Sequence, residues 1–524
     1  MQTTSVVPNN RGTDVGYGPY PHPVEFHFPH LRRGTTPRTA LAFQALASPE
    51  PEADTFGWDT VFAISITDAN RAILRAGVSP PSFHFEDTDG TTIQGSFGPW
   101  QICRGGDGDL ITFTIPITTG DMRFDGKGYA LASASVIMEV RLHYLPQSPA
   151  SRPPRSADVP LQQETQHNLV LRTTSVNADD PPVTVREVRL GDQSMPQVAQ
   201  WVMEGILQAW FVANLEAFSH VFATVTLNRK VDHDGFQWLA PQYTGYAYFD
   251  GTTDENSYLG VLCMTQRPNA DGLAPQLSRT AIPKKARAGF LISQGLFMEK
   301  MVLASLPKAF PDATATDFTI SPEKTAIKNT RPVKTKPVTH DGTTYYPELE
   351  ELAIRVVGEE LQVESHSQVE LSSGIWGHVR STHFVRLTLV NKPDGSQTIS
   401  YEEARDAIVD TPWTTVSEGI EIGKIILEIF AVIVTLILTI VTAGAFLVVA
   451  LIIAGLIMGL AIAAPDIVAA VLKKDTTSDI PAIDLLVLNS TAPITWAGSS
   501  DFKLTWLSLN GCLQLGGDPG FAMA

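Results

Sequence analysis

The feature that most constrains this chain is a run of large apolar side chains between residues 198 and 222. These side chains recur every three or four positions, which is the period of one face of an α-helix. A helix whose face carries two Trp and three Phe needs a broad, concave surface to pack against, such as a curved sheet. The run therefore predicts one long amphipathic helix held by β-structure. Its members are Val198, Trp201, Val202, Ile206, Trp210, Phe211, Leu215, Phe218 and Phe222.

Strand patterns flank this helix on both sides. From residue 54 to about 146 the chain reads as β-structure, most clearly at 135–145, where apolar residues alternate with Glu139, Arg141 and His143. Strict alternation is the period of a strand with one buried and one wet face. Residues 169–176 and 183–190 repeat the pattern, and strands return at 223–310 and 343–400. The sequence therefore predicts an α+β protein.

The length of 524 residues favours two large domains. Residues 1–53 lack a sustained period and predict an irregular leader. The segment 311–342 is poor in apolar residues and rich in Thr, Lys and Pro, as is typical of a linker. We therefore expect an N-terminal domain at 54–310, a linker at 311–342 and a C-terminal domain at 343–524.

An apolar helical block occupies residues 417–472 of the second half, and 429–464 contain no charged residue. A helix that is apolar on every side is buried within protein or bound to a membrane. The flanks lack the aromatic residues that anchor a membrane span. We expect helices buried inside the second domain and no constitutive span. A hairpin that inserts conditionally is the alternative.

The balance of charge bears on the partners. The chain carries 38 Lys and Arg against 55 Asp and Glu, a net charge of −17, which argues against nucleic acid as a partner. One short basic set stands out: Lys324, Lys328, Arg331, Lys334 and Lys336. This set is either a solvated linker or a surface for anionic lipid head groups on a membrane.

The sequence contains no recognised motif for catalysis or cofactor binding. The nucleophile elbow, the phosphate loop, the zinc helix and the dinucleotide turn are absent from the sequence. His22, His27 and His30 lie close together, but no carboxylate or Cys pattern completes a ligand set. We expect no enzyme, no cofactor and no metal.

Three cysteines and the N-terminal sequence bear on the compartment. Three cysteines cannot form a disulfide framework and suit a reducing cytoplasm. The first residues do not form a conventional signal peptide. We expect a protein that is cytoplasmic as made and leaves the cell, if at all, by another route.

Several segments, in order along the chain, resemble the clostridial P-47 family, which is found beside toxin genes. They are 55–61 (TFGWDTV), 100–117, 218–225 (FSHVFATV), 246–248, 257–265 and 509–515 (LNGCLQL). The resemblance covers most of 54–524. It implies the tubular lipid-binding (TULIP) architecture, with two domains in which curved antiparallel sheets each wrap a long apolar helix.

The resemblance also implies a function, namely binding of lipid or another apolar molecule in support of a co-encoded toxin. The candidate lining residues are Trp201, Ile206, Trp210 and Phe211; the other interpretation is that they fill a closed core. Two alternative functions are a membrane-active protein that inserts 429–464, and a scaffold with a filled tube that acts through protein contacts.

Overall fold

The computed structural model describes residues 51–147, 164–175, 180–229, 234–335, 337–340, 342–391, 397–410, 413–415, 484–500 and 502–521. Three sequence predictions therefore lie outside the described residues. They are the leader up to residue 50, the apolar block at 417–472, and Lys336 of the basic set.

The described chain is mostly β, with few helices. The strands are β1 (Thr60–Ser65), β2 (Ser82–Glu86), β3 (Thr92–Phe97), β4 (Gln101–Asp107), β5 (Leu110–Phe124), β6 (Lys127–Ala130), β7 (Ser135–Pro146), β8 (Thr165–Leu171), β9 (Val183–Arg189), β10 (Val221–Leu227), β11 (Tyr243–Phe249), β12 (Tyr258–Met264), β13 (Ala288–Ile292), β14 (Phe318–Ile320), β15 (Ala326–Asn329), β16 (Val333–Lys334), β17 (Val338–His340), β18 (Thr343–Tyr345), β19 (Glu348–Val357), β20 (Glu360–Ser372), β21 (Ile375–Asn391), β22 (Gln397–Val409), β23 (Trp413–Thr414), β24 (Ile494–Trp496), β25 (Lys503–Asn510) and β26 (Cys512–Asp518).

The α-helices are α1 (Ile66–Ala76), α2 (Gln197–Asn214), α3 (Gln294–Leu296), α4 (Ala304–Ala309) and α5 (Asp484–Thr491). A π-helical segment at Phe297–Leu303 joins α3 to α4, and short 3-10 turns occur at Leu215–Ala217, Asp234–Leu239, Asp254–Asn256 and Ala315–Asp317. No helix in the described ranges combines the length and the apolar composition needed to cross a membrane.

Three large sheets curl into half-barrels, and their paired strands are antiparallel. The first has the order β11-β12-β1-β13-β26-β25. The second has the order β2-β3-β5-β7-β8-β10-β24, with β4 and β6 on β5 and β9 on β7. The third has the order β14-β15-β19-β20-β21-β22, with β16 on β19 and β23 on β21. The antiparallel β-structure predicted for both halves is confirmed.

The last strands of the chain return to the sheets built by its first half. β24 pairs with β10, and β26 pairs with β13. The segment predicted as a linker is also structured, because β14, β15 and β16 belong to the third sheet. The domain boundary at 311–342 stays a prediction. Two strands near the C-terminal end, β24 and β26, nevertheless pair with strands that precede residue 311.

The central strands of the first sheet, β12, β1 and β13, are buried on both faces, which explains their largely apolar sequences. Along β1, Phe62 and Ile64 join the main core, whereas Val61 and Ala63 join a second cluster on the opposite face. Strands covered on both sides lose the alternation of a half-exposed strand. Gly289 of β13 is required by this crowding, because an added Cβ would lie 1.9 Å from the carbonyl oxygen of Ala281.

The helix predicted from the aromatic run is present but shorter than expected. α2 ends at Asn214, whose side-chain amide donates to the carbonyl of Trp210 at 2.8 Å. Phe218 lies beyond the helix and Phe222 lies in β10. The prediction of a helix through 222 is wrong because β10 pairs with β8 and continues the apolar pattern as a strand.

Candidate functional site

The inner face of α2 packs into an aromatic core. The side chains of Ile206, Trp210 and Phe211 are buried, and the helix lies against β9 and β2. The ring of Trp210 lies 5.4 Å from that of Phe97 and 5.3 Å from that of Phe211, measured between centroids. Close, tilted or edge-on pairs of this kind are the preferred aromatic geometry.

The outer face of α2 is apolar and exposed. Trp201 is 62% exposed, Val198 57% and Val212 45%, and Gly205 and Ala209 complete the same face. At about 100° per residue, position 201 points about 180° away from position 210. One helix face therefore could not have buried both tryptophans.

Polar side chains on one flank of α2 fix its rotation. The Gln208 side chain accepts from the backbone N–H of Val185 at 2.6 Å and donates to the carbonyl of Val183 at 2.8 Å. Glu204 accepts from the N–H of Val188 at 3.4 Å. These contacts satisfy the edge of β9 that faces away from β7. Because unpaired sheet edges need such partners, β9 holds α2 with Trp201 turned outward.

The structure thus divides the four predicted lipid-lining residues. Ile206, Trp210 and Phe211 contact other protein side chains in a packed interior, whereas Trp201 is exposed. The sequence prediction missed Val198 and Val212 as partners of Trp201. The signal that would have found them is the helical angle: both lie within about 60° of Trp201 around the helix axis.

The predicted basic surface is partly neutralised by carboxylates. The Lys324 ammonium pairs with Glu299, and Arg331 forms two bonds to Asp317, at 2.6 and 2.7 Å. The Arg331 guanidinium lowers the pKa of Asp317. Lys328 and Lys334 are exposed on β15 and β16. Binding of anionic head groups by this set stays a prediction.

A polar cavity of about 170 Å³ lies beside β5, β7 and β9. Arg141 and Asp180 line it, and their side chains form an ion pair there. A cavity this small and polar does not suit an acyl chain. The outer face of α2 is therefore the better candidate for contact with an apolar ligand.

Comparison with known proteins identifies the family. A sequence model of the family described as OrfX-like, protein OrfX2/OrfX3/P47, matches residues 55–517. The chain belongs to this family. OrfX3 of Paraclostridium bifermentans is 30% identical over 499 residues, which cover 89% of this chain and 98% of that protein. OrfX3 of Clostridium botulinum (strain Kyoto / Type A2) is 30% identical over 497 residues, with the same two coverages.

The OrfX/P47 fold is also seen in solved structures. P47 from Clostridium botulinum A2 superposes with a TM-score of 0.61 at 16% identity, covering 89% of this chain and 98% of P47. At this identity the likeness establishes the fold alone. The resemblance to the P-47 family inferred from the sequence is confirmed, and proteins of the OrfX/P47 family are associated with toxin gene clusters.

Proposed function

We propose that this OrfX/P47 protein is a non-enzymatic accessory of a co-encoded toxin and that it contacts lipid through the outer face of α2. The observation that carries the proposal is the exposure of Trp201 together with Val198 and Val212 on one face of α2; Glu204, on the flank of this face, is turned towards the backbone N–H of Val188. Trp is enriched where an apolar surface meets the membrane–water interface. The hydrogen bonds to β9 hold the face outward before any ligand arrives.

The charge of the protein favours a neutral lipid surface. With a net charge of −17, the chain as a whole is repelled by anionic membranes. The outer face of α2 also lacks the Lys and Arg residues that are typical of helices that bind anionic lipid surfaces. We therefore expect phosphatidylcholine to suffice, and the interaction to depend little on ionic strength.

The curled sheets support a TULIP architecture as part of this proposal. In that architecture each sheet would wrap a helix. An apolar groove formed there would hold an acyl chain, which gains about 0.8 kcal/mol per buried CH₂. Contact through α2 would then bring the groove close to its lipid source.

Sedimentation with phosphatidylcholine vesicles tests the contact. Trp201 exposes roughly 150 Å² of its surface, and removing about half of that from water is worth about 2 kcal/mol. Trp201→Ser should therefore weaken vesicle binding about 30-fold. The matched control is Tyr346→Ser, because Tyr346 is also an exposed aromatic residue, 70% exposed, but lies outside α2. Equal binding by wild type and Trp201→Ser would refute the contact.

A fluorophore on α2 distinguishes lipid from other occupants of this face. Val198→Cys adds an accessible thiol, whereas Cys263 and Cys512 are buried and burial raises the pKa of Cys103 to about 11. A polarity-sensitive dye at 198 should shift to the blue when vesicles are added. A dye that is already shifted without vesicles, and does not respond to them, would mean that protein covers this face.

The toxin partnership needs its own measurement. Purified co-encoded toxin should bind this protein in isothermal titration calorimetry, and lipid extraction of the purified protein should recover a bound lipid. Absence of heat with the toxin would end the accessory role, and absence of extractable lipid would favour a filled scaffold. Vesicle leakage at acidic pH would instead favour insertion of 429–464.

A further inference from the structure

Three neighbouring strands of the third sheet bring a carboxylate and two imidazoles together. Glu350 lies in β19, His366 in β20 and His378 in β21. One ligand-capable atom from each side chain lies within 4.8 Å of those of the other two. The spacings of 16 and 12 residues along the chain match no metal-binding motif, so sequence analysis did not find this group.

The strand register explains why the two imidazoles meet. His366 pairs with Arg380, two residues beyond His378 on β21. Side chains two apart on a strand share a face, so His366 and His378 are diagonal neighbours on one side of the sheet. Their ring centroids are 5.4 Å apart.

A β-bulge adds the carboxylate. The pairing of β19 with β20 shifts between Leu349 and Glu351, which leaves Glu350 as the extra residue opposite His366 and Ser367. Bulges re-aim a side chain and are over-represented next to functional sites. The Oε2 atom of Glu350 lies 3.0 Å from Nδ1 of His366.

Two imidazole nitrogens of this group are buried and lack hydrogen bonds. Among the described residues, His366 Nε2 and His378 Nδ1 have no hydrogen-bond partner, whereas Glu350 Oε2 has its 3.0 Å contact with Nδ1 of His366. An unsatisfied buried polar atom costs about 1–3 kcal/mol, and two in one group call for an explanation. A bound ion is one recognised reason for such a group in a folded protein.

Trp413 shields one side of the group. β23 pairs with β21 so that Trp413 faces His378, and its ring stacks on both imidazoles at centroid distances of 5.4 Å. The Arg380 guanidinium lies against the same indole, 5.7 Å from its centroid. Its positive charge opposes a nearby cation, whereas the Glu350 carboxylate favours one.

We infer that Glu350, His366 and His378 form a binding site for a divalent transition-metal ion of the zinc type. Two imidazoles and one carboxylate are a recurrent ligand set for Zn²⁺, with a fourth position left to water or another ligand. Zn–ligand bonds of about 2.0–2.1 Å place the ligand atoms about 3.3 Å apart. Side-chain movements of about 1–2 Å would bring the three ligand atoms, which now lie within 4.8 Å of one another, to that spacing. Ca²⁺ and Mg²⁺ prefer oxygen ligands and should not bind here.

Such an ion would cross-link three neighbouring strands of the third sheet, β19, β20 and β21. It would also fix Trp413, which pairs with β21 through a strand of two residues only. The metal site is independent of the lipid-contact face of α2, which belongs to another part of the chain.

Titration of the purified, metal-stripped protein with Zn²⁺ against a chromophoric chelator tests the site. Wild type should bind Zn²⁺, and Co²⁺ should give the intense visible bands of a tetrahedral site. His366→Gln and His378→Gln should each weaken binding by at least about 100-fold, because even outer-shell partners of a metal account for 10- to 100-fold. Glu350→Gln, which keeps the shape of the side chain, should also weaken it.

Two controls isolate the group from other histidines of the chain. His84→Gln changes an exposed histidine on β2 and should leave Zn²⁺ affinity unchanged. Replacing His22, His27 and His30 together by Gln tests the competing histidines of the leader, which lie outside the described residues. Circular dichroism of each variant verifies that it is folded, and Glu350→Gln serves where a histidine variant is not.

The alternative is an ion pair between Glu350 and His366 with stacking by Trp413 and no metal. Absence of Zn²⁺ binding by wild type, or loss of binding only in the leader variant, would overturn the metal site. Unchanged affinity in folded His366→Gln or His378→Gln would do the same. Zn²⁺ affinity that falls below about pH 6, where imidazoles protonate, would support it.

Discussion

Trp201 and Trp210 offer a matched pair of substitutions on one helix. Trp210 is 7% exposed and lies among Phe83, Phe97 and Phe211, whereas Trp201 is 62% exposed. Trp210→Ala removes roughly 160 Å² of buried apolar surface, worth about 4 kcal/mol at 25 cal/mol per Å². That figure lies within the range of about 3–5 kcal/mol typical of Trp→Ala in a core. Trp201→Ala should cost less than about 1 kcal/mol.

Urea unfolding followed by circular dichroism measures both variants. Trp210→Ala should lower the midpoint strongly with an unchanged slope, and Trp201→Ala should barely move it. Trp210→Asp and Trp201→Asp sharpen the comparison, because a buried carboxylate without a partner adds several kcal/mol. We expect Trp210→Asp to be unfolded and Trp201→Asp to fold. Equal losses at the two positions, or a larger loss at 201, would refute the assignment of the two faces of α2.

Three further predictions follow from charges and thiols in the described residues. Arg287→Ala should lower the free energy of unfolding by about 1.5–3 kcal/mol, measured by urea denaturation, because the buried Asp68 would lose the guanidinium that donates to it at 2.6 Å and keep that of Arg71, at 2.8 Å. Arg331→Gln should raise the pH at which acid unfolding begins. Arg331 lowers the pKa of Asp317 below its ordinary value of 3.8, so their pairing stabilises the fold above about pH 4 and is lost as the pH falls through the lower value. Cys103, whose pKa burial raises to about 11, should react slowly with maleimide at pH 8 in the native protein and quickly in urea, as followed by mass spectrometry.

Local patterns in the sequence determined the strands and the existence of the long helix. The alternation at 135–145 corresponds to β7, and the pattern at 183–190 corresponds to β9. These elements follow from the period of side chains along a strand, which needs no knowledge of distant residues. The family could likewise be inferred from short segments in order along the chain, and the comparison with OrfX3 confirms it.

Only the tertiary structure decided which tryptophan of α2 is exposed. The helix carries apolar residues around most of its circumference, so periodicity could not choose an inner face. The inner face is determined by Gln208 and Glu204, which accept hydrogen bonds from backbone N–H groups at the edge of β9, a strand that lies earlier in the chain. The return of β26 to β13 likewise depends on which sheet edge is available after folding.

The group formed by Glu350, His366 and His378 is the clearest case of a feature that the sequence pattern could not predict. Its members come from three strands, and a shift of one residue in register would turn a side chain to the other face of the sheet. The bulge at Glu350 and the pairing of His366 with Arg380 set that register. The sequence shows that these three residues are present, but only the pairing of the strands brings them close together.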